Sequence, residues 1–221
     1  MKAFIFDFDG TVADTLPVCF YAFQSVFKEY DQKDVTEKDI ISMFGPSETG
    51  IIRENLTHPN TDEAIERYYL HYEEKHEELV DNNQQMHDFL SLLKEDGYLL
   101  GIVTGKAKRS LDLSLEKLNM KKYFDVFISG DDVDQPKPHP EGILKAIEML
   151  GVSKGDAAFI GDSDADISAG KAAEVVTVGV HWLPTIQSST FKDEPDHYMK
   201  DIHTFKQLFK INKETTYKSP N

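Results

Sequence analysis

Asp7-Phe8-Asp9-Gly10-Thr11-Val12 follows directly on a short apolar run at 3–6. Two carboxylates at i and i+2 can leave the end of a strand on the same side. Gly10 permits a tight exit, and Thr11 adds a hydroxyl and an amide. Taken alone, the segment reads equally well as a turn rich in Asp and Gly. Three further clusters change that balance. Thr104-Gly105-Lys106 follows the apolar run 99–103 and offers a hydroxyl, then a glycine whose amide is open to an anion. In Pro136-Lys137-Pro138-His139-Pro140, prolines stiffen the chain on both sides of one lysine. Gly161-Asp162-Ser163-Asp164-Ala165-Asp166 follows the run 157–160. Carboxylates at two strand ends, a hydroxyl at a third and a pinned lysine together make an oxygen-ligand pocket for a hard cation such as Mg²⁺. A calcium loop starting at Asp162 is excluded, because its sixth and twelfth positions are Ile167 and Ala173 instead of Gly and Glu. None of the eight His residues pairs at zinc-ligand spacing.

These four clusters, in this order, resemble the four motifs of the haloacid dehalogenase-like phosphatases. Gly130-Asp131-Asp132-Val133 and Lys137-Pro138-His139-Pro140-Glu141 resemble the phosphoglycolate phosphatase branch, which also contains inorganic pyrophosphatases. The resemblance implies an α/β core, Mg²⁺ as cofactor and hydrolysis of a small phosphorylated metabolite. It implies that Asp7 is the nucleophile and Asp9 the general acid and base. Gly10, Thr11, Thr104 and the Gly105 amide would hold the phosphoryl group while Lys137 offsets its charge. Asp7, the Asp9 carbonyl and Asp162 would ligate the metal, with Asp166 and Ser163 behind them. A sugar phosphomutase of the family would carry a His early in the first inserted helix, where this chain has Cys19. The dehalogenase branch lacks the second aspartate, which is present here as Asp9. A receiver-type signalling domain also joins acids, a hydroxyl and a lysine, but its phosphoacceptor ends a middle strand and it has no long insert.

Two cations outside the motifs are candidate substrate contacts. Lys106 either touches substrate or is a surface lysine. Arg53, just past Gly45-Pro46-Ser47-Glu48, either reaches a second anionic group or is a solvated helix residue. Asp131 and Asp132 read as turn residues or as part of the site, and Cys19 as a buried thiol in an aromatic helix.

The elements that must position these residues are visible as periodicity. Apolar runs at 3–6, 99–103, 126–128, 157–160 and 175–180 are continuous, as expected of strands covered on both faces. Helical patterns alternate with them: Met86, Phe89, Leu90, Leu93; Leu111, Leu115, Leu118; Ile143, Ile147, Leu150. The fold expected is a doubly wound, parallel, Rossmann-like α/β sheet. More than 90 residues separate Phe6 from Leu99, far beyond one crossover helix, so something is inserted. Phe20, Phe23, Phe27, Tyr30, then Ile40, Ile41, Phe44, then Ile65, Tyr68, Tyr69, Tyr72, His76, Leu79 make that insert all-helical. The expected division is a core at 1–15 and 83–211, a helical cap at 16–82 and a polar tail at 212–221. The second hinge falls at Asp81-Asn82-Asn83-Gln84-Gln85, where the phosphoglycolate phosphatase branch usually has an apolar-Pro-Gly turn.

Composition sets the outer limits. With 24 Lys and Arg against 39 Asp and Glu, the formal net charge is −15, which disfavours nucleic acid and anionic membrane as partners. The 40% hydrophobic content suffices for a core, so disorder is not expected. One cysteine excludes an internal disulfide and fits a reducing compartment. Asp7 interrupts the amino terminus before any signal-like apolar stretch, and the cytoplasm is the expected location of a monomer or homodimer.

Overall fold

The computed structural model describes residues 1–187 and 189–211; the polar stretch at 212–221 lies outside them. Six parallel strands form one sheet in the order β3-β2-β1-β4-β5-β6: β1 (Ala3–Phe6), β2 (Leu99–Val103), β3 (Val126–Ile128), β4 (Ala157–Gly161), β5 (Val176–Val180) and β6 (His197–Met199). Five follow the apolar runs. The sixth, His-Tyr-Met, carries no such run and extends the sheet at its edge.

β1 is buried on both faces, and the pleat divides its side chains. Phe4 and Phe6 enter one core cluster, packing on Phe205 and on Phe89 and Phe124, while Ala3 and Ile5 enter the other. The first face is covered by α5 (Gln84–Glu95), α6 (Lys108–Lys117) and α9 (Ile202–Leu208). The second is covered by α7 (Glu141–Leu150) and α8 (Asp164–Ala173). Strand order reverses between β1 and β4, whose register sets Phe6 level with Ile160. That switch point opens a crevice at the carboxyl ends of the strands, where Asp7 and Asp162 both emerge.

Between β1 and α5 lie α1 (Leu16–Asp31), α2 (Glu37–Met43), α3 (Glu48–Asn55) and α4 (Thr61–Leu79). The aromatic stripe is the internal packing of this insert: the Phe23 and Tyr68 rings lie 4.6 Å apart, and Cys19 Sγ is 3.3 Å from the Tyr68 hydroxyl. The insert meets the sheet domain along α6, where Ser114 Oγ is 2.8 Å from Tyr72 Oη and 3.0 Å from His76 Nε2. Burial pushes the His76 imidazole down to about 4, so it is neutral at ordinary pH. Asn83 caps α5 by accepting from the Met86 amide at 3.2 Å. No helix among the described residues is long and apolar enough to cross a membrane.

Candidate active site

Asp7 is the first residue past β1, its amide donating 2.8 Å to the Ile160 carbonyl of the neighbouring strand. Asp7 is 3% exposed, and Asp162 and Asp166 are fully buried with it. The carboxylate oxygens of these three residues lie within 4.8 Å of one another. One cation faces them: Lys137 Nζ is 2.6 Å from Asp166 Oδ1 and 2.9 Å from Asp7 Oδ1. The second contact is off the line of a hydrogen bond, so Asp7 Oδ1 is a buried oxygen with no hydrogen-bond partner among the described residues. Burial pushes the Asp7 carboxyl up to about 7, with Asp166 and Asp9 adding to the rise and Lys137 opposing it. Asp162 is pushed well above the usual carboxylate range by burial, then by Asp166 and Asp7. On Lys137, burial works against the charge, yet Asp166 and Asp7 together overcome it and the shift is upward. Three carboxylates around one ammonium, with an unsatisfied buried oxygen, form a donor set of hard oxygens short of positive charge. A divalent cation such as Mg²⁺ fits it.

Backbone geometry holds this cluster. Gly10 has φ +80°, and a Cβ there would lie 2.5 Å from Asp162 Oδ2, so only glycine lets the Asp7 turn approach β4. Thr11 Oγ1 donates to Asp162 Oδ1 at 3.1 Å, and the Gln187 amide donates to Asp162 Oδ2 at 3.1 Å. Ser163 and Asp166 form the capping box of α8: Asp166 Oδ2 accepts from the Ser163 amide at 3.0 Å and from its hydroxyl at 2.6 Å, leaving Oδ1 for Lys137.

Asp9 turns away from the trio. Its Oδ1 accepts from Thr15 Oγ1 and lies 3.1 Å from Lys106 Nζ. Lys106 is not a surface lysine: its side chain is fully buried, 3.3 Å from Glu48 Oε1 and 4.4 Å from the centroid of the Tyr72 ring. Asp9, Tyr72 and Glu48 hold it charged against the effect of burial. Glu48, at the start of α3, also accepts from the Ala107 amide and the Ser110 hydroxyl, and so fastens the insert to the first turn of α6. Asp131 accepts from the Lys108 amide at 2.8 Å, and Asp132 caps its own turn through Ser129, so both hold the loop that carries Gly105 and Lys106. Gly130 packs so closely that a Cβ would meet the Gly105 carbonyl oxygen at 2.3 Å.

Asp7, Asp9, Thr104, Gly105, Lys106, Lys137 and Ser163 thus line one cavity of about 130 Å³, whose far wall belongs to the insert. Arg53 is not brought there. It stands half-exposed at the end of α3, 2.7 Å from Asp62, in the position of a solvated helix residue. Glu48 is the residue that sequence reasoning passed over. It sits among 15 acidic residues of the insert, and only its position at a helix start, next to Gly45-Pro46-Ser47, set it apart.

A switch-point crevice lined by these residues defines a class. The model of the haloacid dehalogenase-like hydrolases matches residues 4–180, and the chain belongs to that family. Among its relatives, the pyrophosphatase PpaX of Bacillus pumilus (strain SAFR-032) is 32% identical over 199 residues, covering 90% of this chain and 91% of that protein. The pyrophosphatase PpaX of Anoxybacillus flavithermus is 30% identical over 202 residues, covering 91% and 94%. The crystal structure of a predicted phosphoglycolate phosphatase from Haemophilus somnus 129PT shares the fold, with a TM-score of 0.79 at 21% identity over 95% of this chain and 98% of that one.

Proposed function

We propose that this protein is a Mg²⁺-dependent phosphatase that hydrolyses a small phosphorylated metabolite through an aspartyl-phosphate on Asp7, with residues 16–82 acting as its cap. The observation that carries this reading is the buried Asp7 carboxylate, one oxygen unsatisfied, set between Lys137 and two further buried carboxylates. Bound at Asp7 and Asp162, with the Asp9 carbonyl as a further ligand, Mg²⁺ would supply the positive charge that lets a carboxylate and a phosphate dianion approach. An Asp7 oxygen attacks phosphorus, the bond to the leaving oxygen breaks, and Asp9 gives that oxygen its proton. Water then attacks the same phosphorus, Asp9 takes its proton, and the bond to Asp7 breaks to release inorganic phosphate. Lys137, oriented by Asp166, faces the charge that develops on the phosphoryl oxygens. Thr104 and the Gly105 amide cradle the others, while Gly10 and Thr11, which do not line the cavity, hold Asp162 from behind. The test is phosphate release from an aryl phosphate. Turnover should require Mg²⁺, stop in excess chelator, and fall about 100-fold or more in Lys137→Ala, the scale of losing one transition-state contact. Full turnover in chelator, or an unimpaired Lys137→Ala, would refute this assignment.

A second reading, inorganic pyrophosphate as the substrate, is favoured by the relatives named pyrophosphatases. It uses the same residues and differs only in the leaving group. Phosphoglycolate, suggested by the branch that the motifs resemble, differs in the same way.

A further inference from the structure

Part of the cavity wall is built by the insert, and apart from Glu48 its side chains there are mostly apolar. Cys19 and Phe23 of α1, Phe44, and Ile51 of α3 line it. Burial pushes the Cys19 thiol up to about 12, so this sulfur is neutral in the working range. A leaving group joined to a phosphoryl group at Asp7 shares a cavity of about 130 Å³ with this wall.

Among the described lining residues, the charges on this side cancel or sum to negative. Lys106 Nζ lies 3.1 Å from Asp9 and 3.3 Å from Glu48, so its one charge already faces two carboxylates. Lys137 sits on the phosphoryl side, between Asp7 and Asp166. Arg53, the cation best placed in sequence to meet a second anion, is paired with Asp62 outside the cavity. A carboxylate or second phosphate in the leaving group would therefore lose its water against Cys19, Phe23, Phe44 and Ile51, beside Glu48, and gain no cation in return. An uncharged leaving group sheds water readily there and gains apolar contact.

We propose that the cavity selects phosphomonoesters with a compact, uncharged leaving group that carries apolar surface, and that it discriminates against a second anionic group. This rests on the phosphatase reading above and deepens it by naming the substrate class.

The experiment compares kcat/KM of the wild-type protein, with excess Mg²⁺, on matched monoesters and one phosphoanhydride. The set is phosphoglycolate, its carboxamide (the same shape without the charge), benzyl phosphate and inorganic pyrophosphate, with p-nitrophenyl phosphate as the general probe. The carboxamide and benzyl phosphate should exceed phosphoglycolate and pyrophosphate by about tenfold or more, because a buried uncompensated charge is penalised far more than a change of shape. In Phe44→Arg, a cation placed on the wall should move the ratio of carboxamide to phosphoglycolate toward the acid by about threefold or more. Phosphoglycolate or pyrophosphate used as well as the neutral esters would overturn the inference while leaving the phosphatase reading intact. Hydrolysis of none of the set, p-nitrophenyl phosphate included, would refute the phosphatase reading and the inference together.

Discussion

Asp7 is kept in an environment that penalises its charge: burial, Asp166 and Asp9 raise its pKa to about 7, against the pull of Lys137. The consequence for stability has a definite sign. A carboxyl whose folded pKa exceeds its unfolded value, 3.8 here, binds more protons in the folded state, so its stabilisation is full below about pH 4 and is lost as pH rises through 7. Without metal, Asp7→Asn should therefore raise the unfolding midpoint at pH 8, and the gain should shrink toward pH 4. Thermal unfolding in chelator at both pH values checks this, and adding Mg²⁺ should stabilise the wild type more than the variant. The aspartates, Thr104 and Lys137 were legible in the sequence because each stands at a strand end or between prolines, and local pattern reveals such places. Lys106, Glu48 and Arg53 were not, since which of three charged residues is buried depends on how α3 seats on α6.

That seating is an ionic lock between two elements. Glu48 takes the Ala107 amide, the Ser110 hydroxyl and the Lys106 ammonium, while Asp131 caps α6 from the other side. Removing Glu48 leaves two buried donors unpaired and Lys106 with Asp9 as its one carboxylate, so Glu48→Ala should destabilise the fold by about 3 kcal/mol in chemical denaturation. Glu48→Gln should lose much less, because its amide oxygen can still accept from the Ala107 amide and the Ser110 hydroxyl while Asp9 stays beside Lys106. Gly10→Ala belongs to the same scale: its Cβ would displace the Asp162 carboxylate and needs a left-handed φ, so turnover and stabilisation by Mg²⁺ should fall together. The strands and long helices were readable where apolar residues repeat. β6 was missed, being three residues long without an apolar run, and α3 was not delimited within the all-helical insert because it has only Ile51 and Ile52 as buried apolar residues.

At the scale of the whole molecule, a chain of net charge −15 repels the phosphate dianions it is proposed to bind, and the cavity counters this only locally, through Lys137 and, in the proposed mechanism, Mg²⁺. Raising monovalent salt at saturating Mg²⁺ should therefore increase kcat/KM for a dianionic substrate by screening the long-range repulsion. A steady decrease would mean that attraction by the site dominates the field. In the proposed mechanism the architecture separates tasks: the strand ends would hold the reacting groups, and the helical insert, which lines part of the same cavity, would meet the leaving group. The central claim is that the phosphoryl group passes through Asp7, and recovery of labelled phosphate on the protein tests it most directly. Acid-quenched turnover of a labelled aryl phosphate, followed by peptide mapping, should place the label on the peptide containing Asp7, increase it in Asp9→Asn and abolish it in Asp7→Asn. Label on any other residue, or equal labelling of Asp7→Asn, would contradict the account.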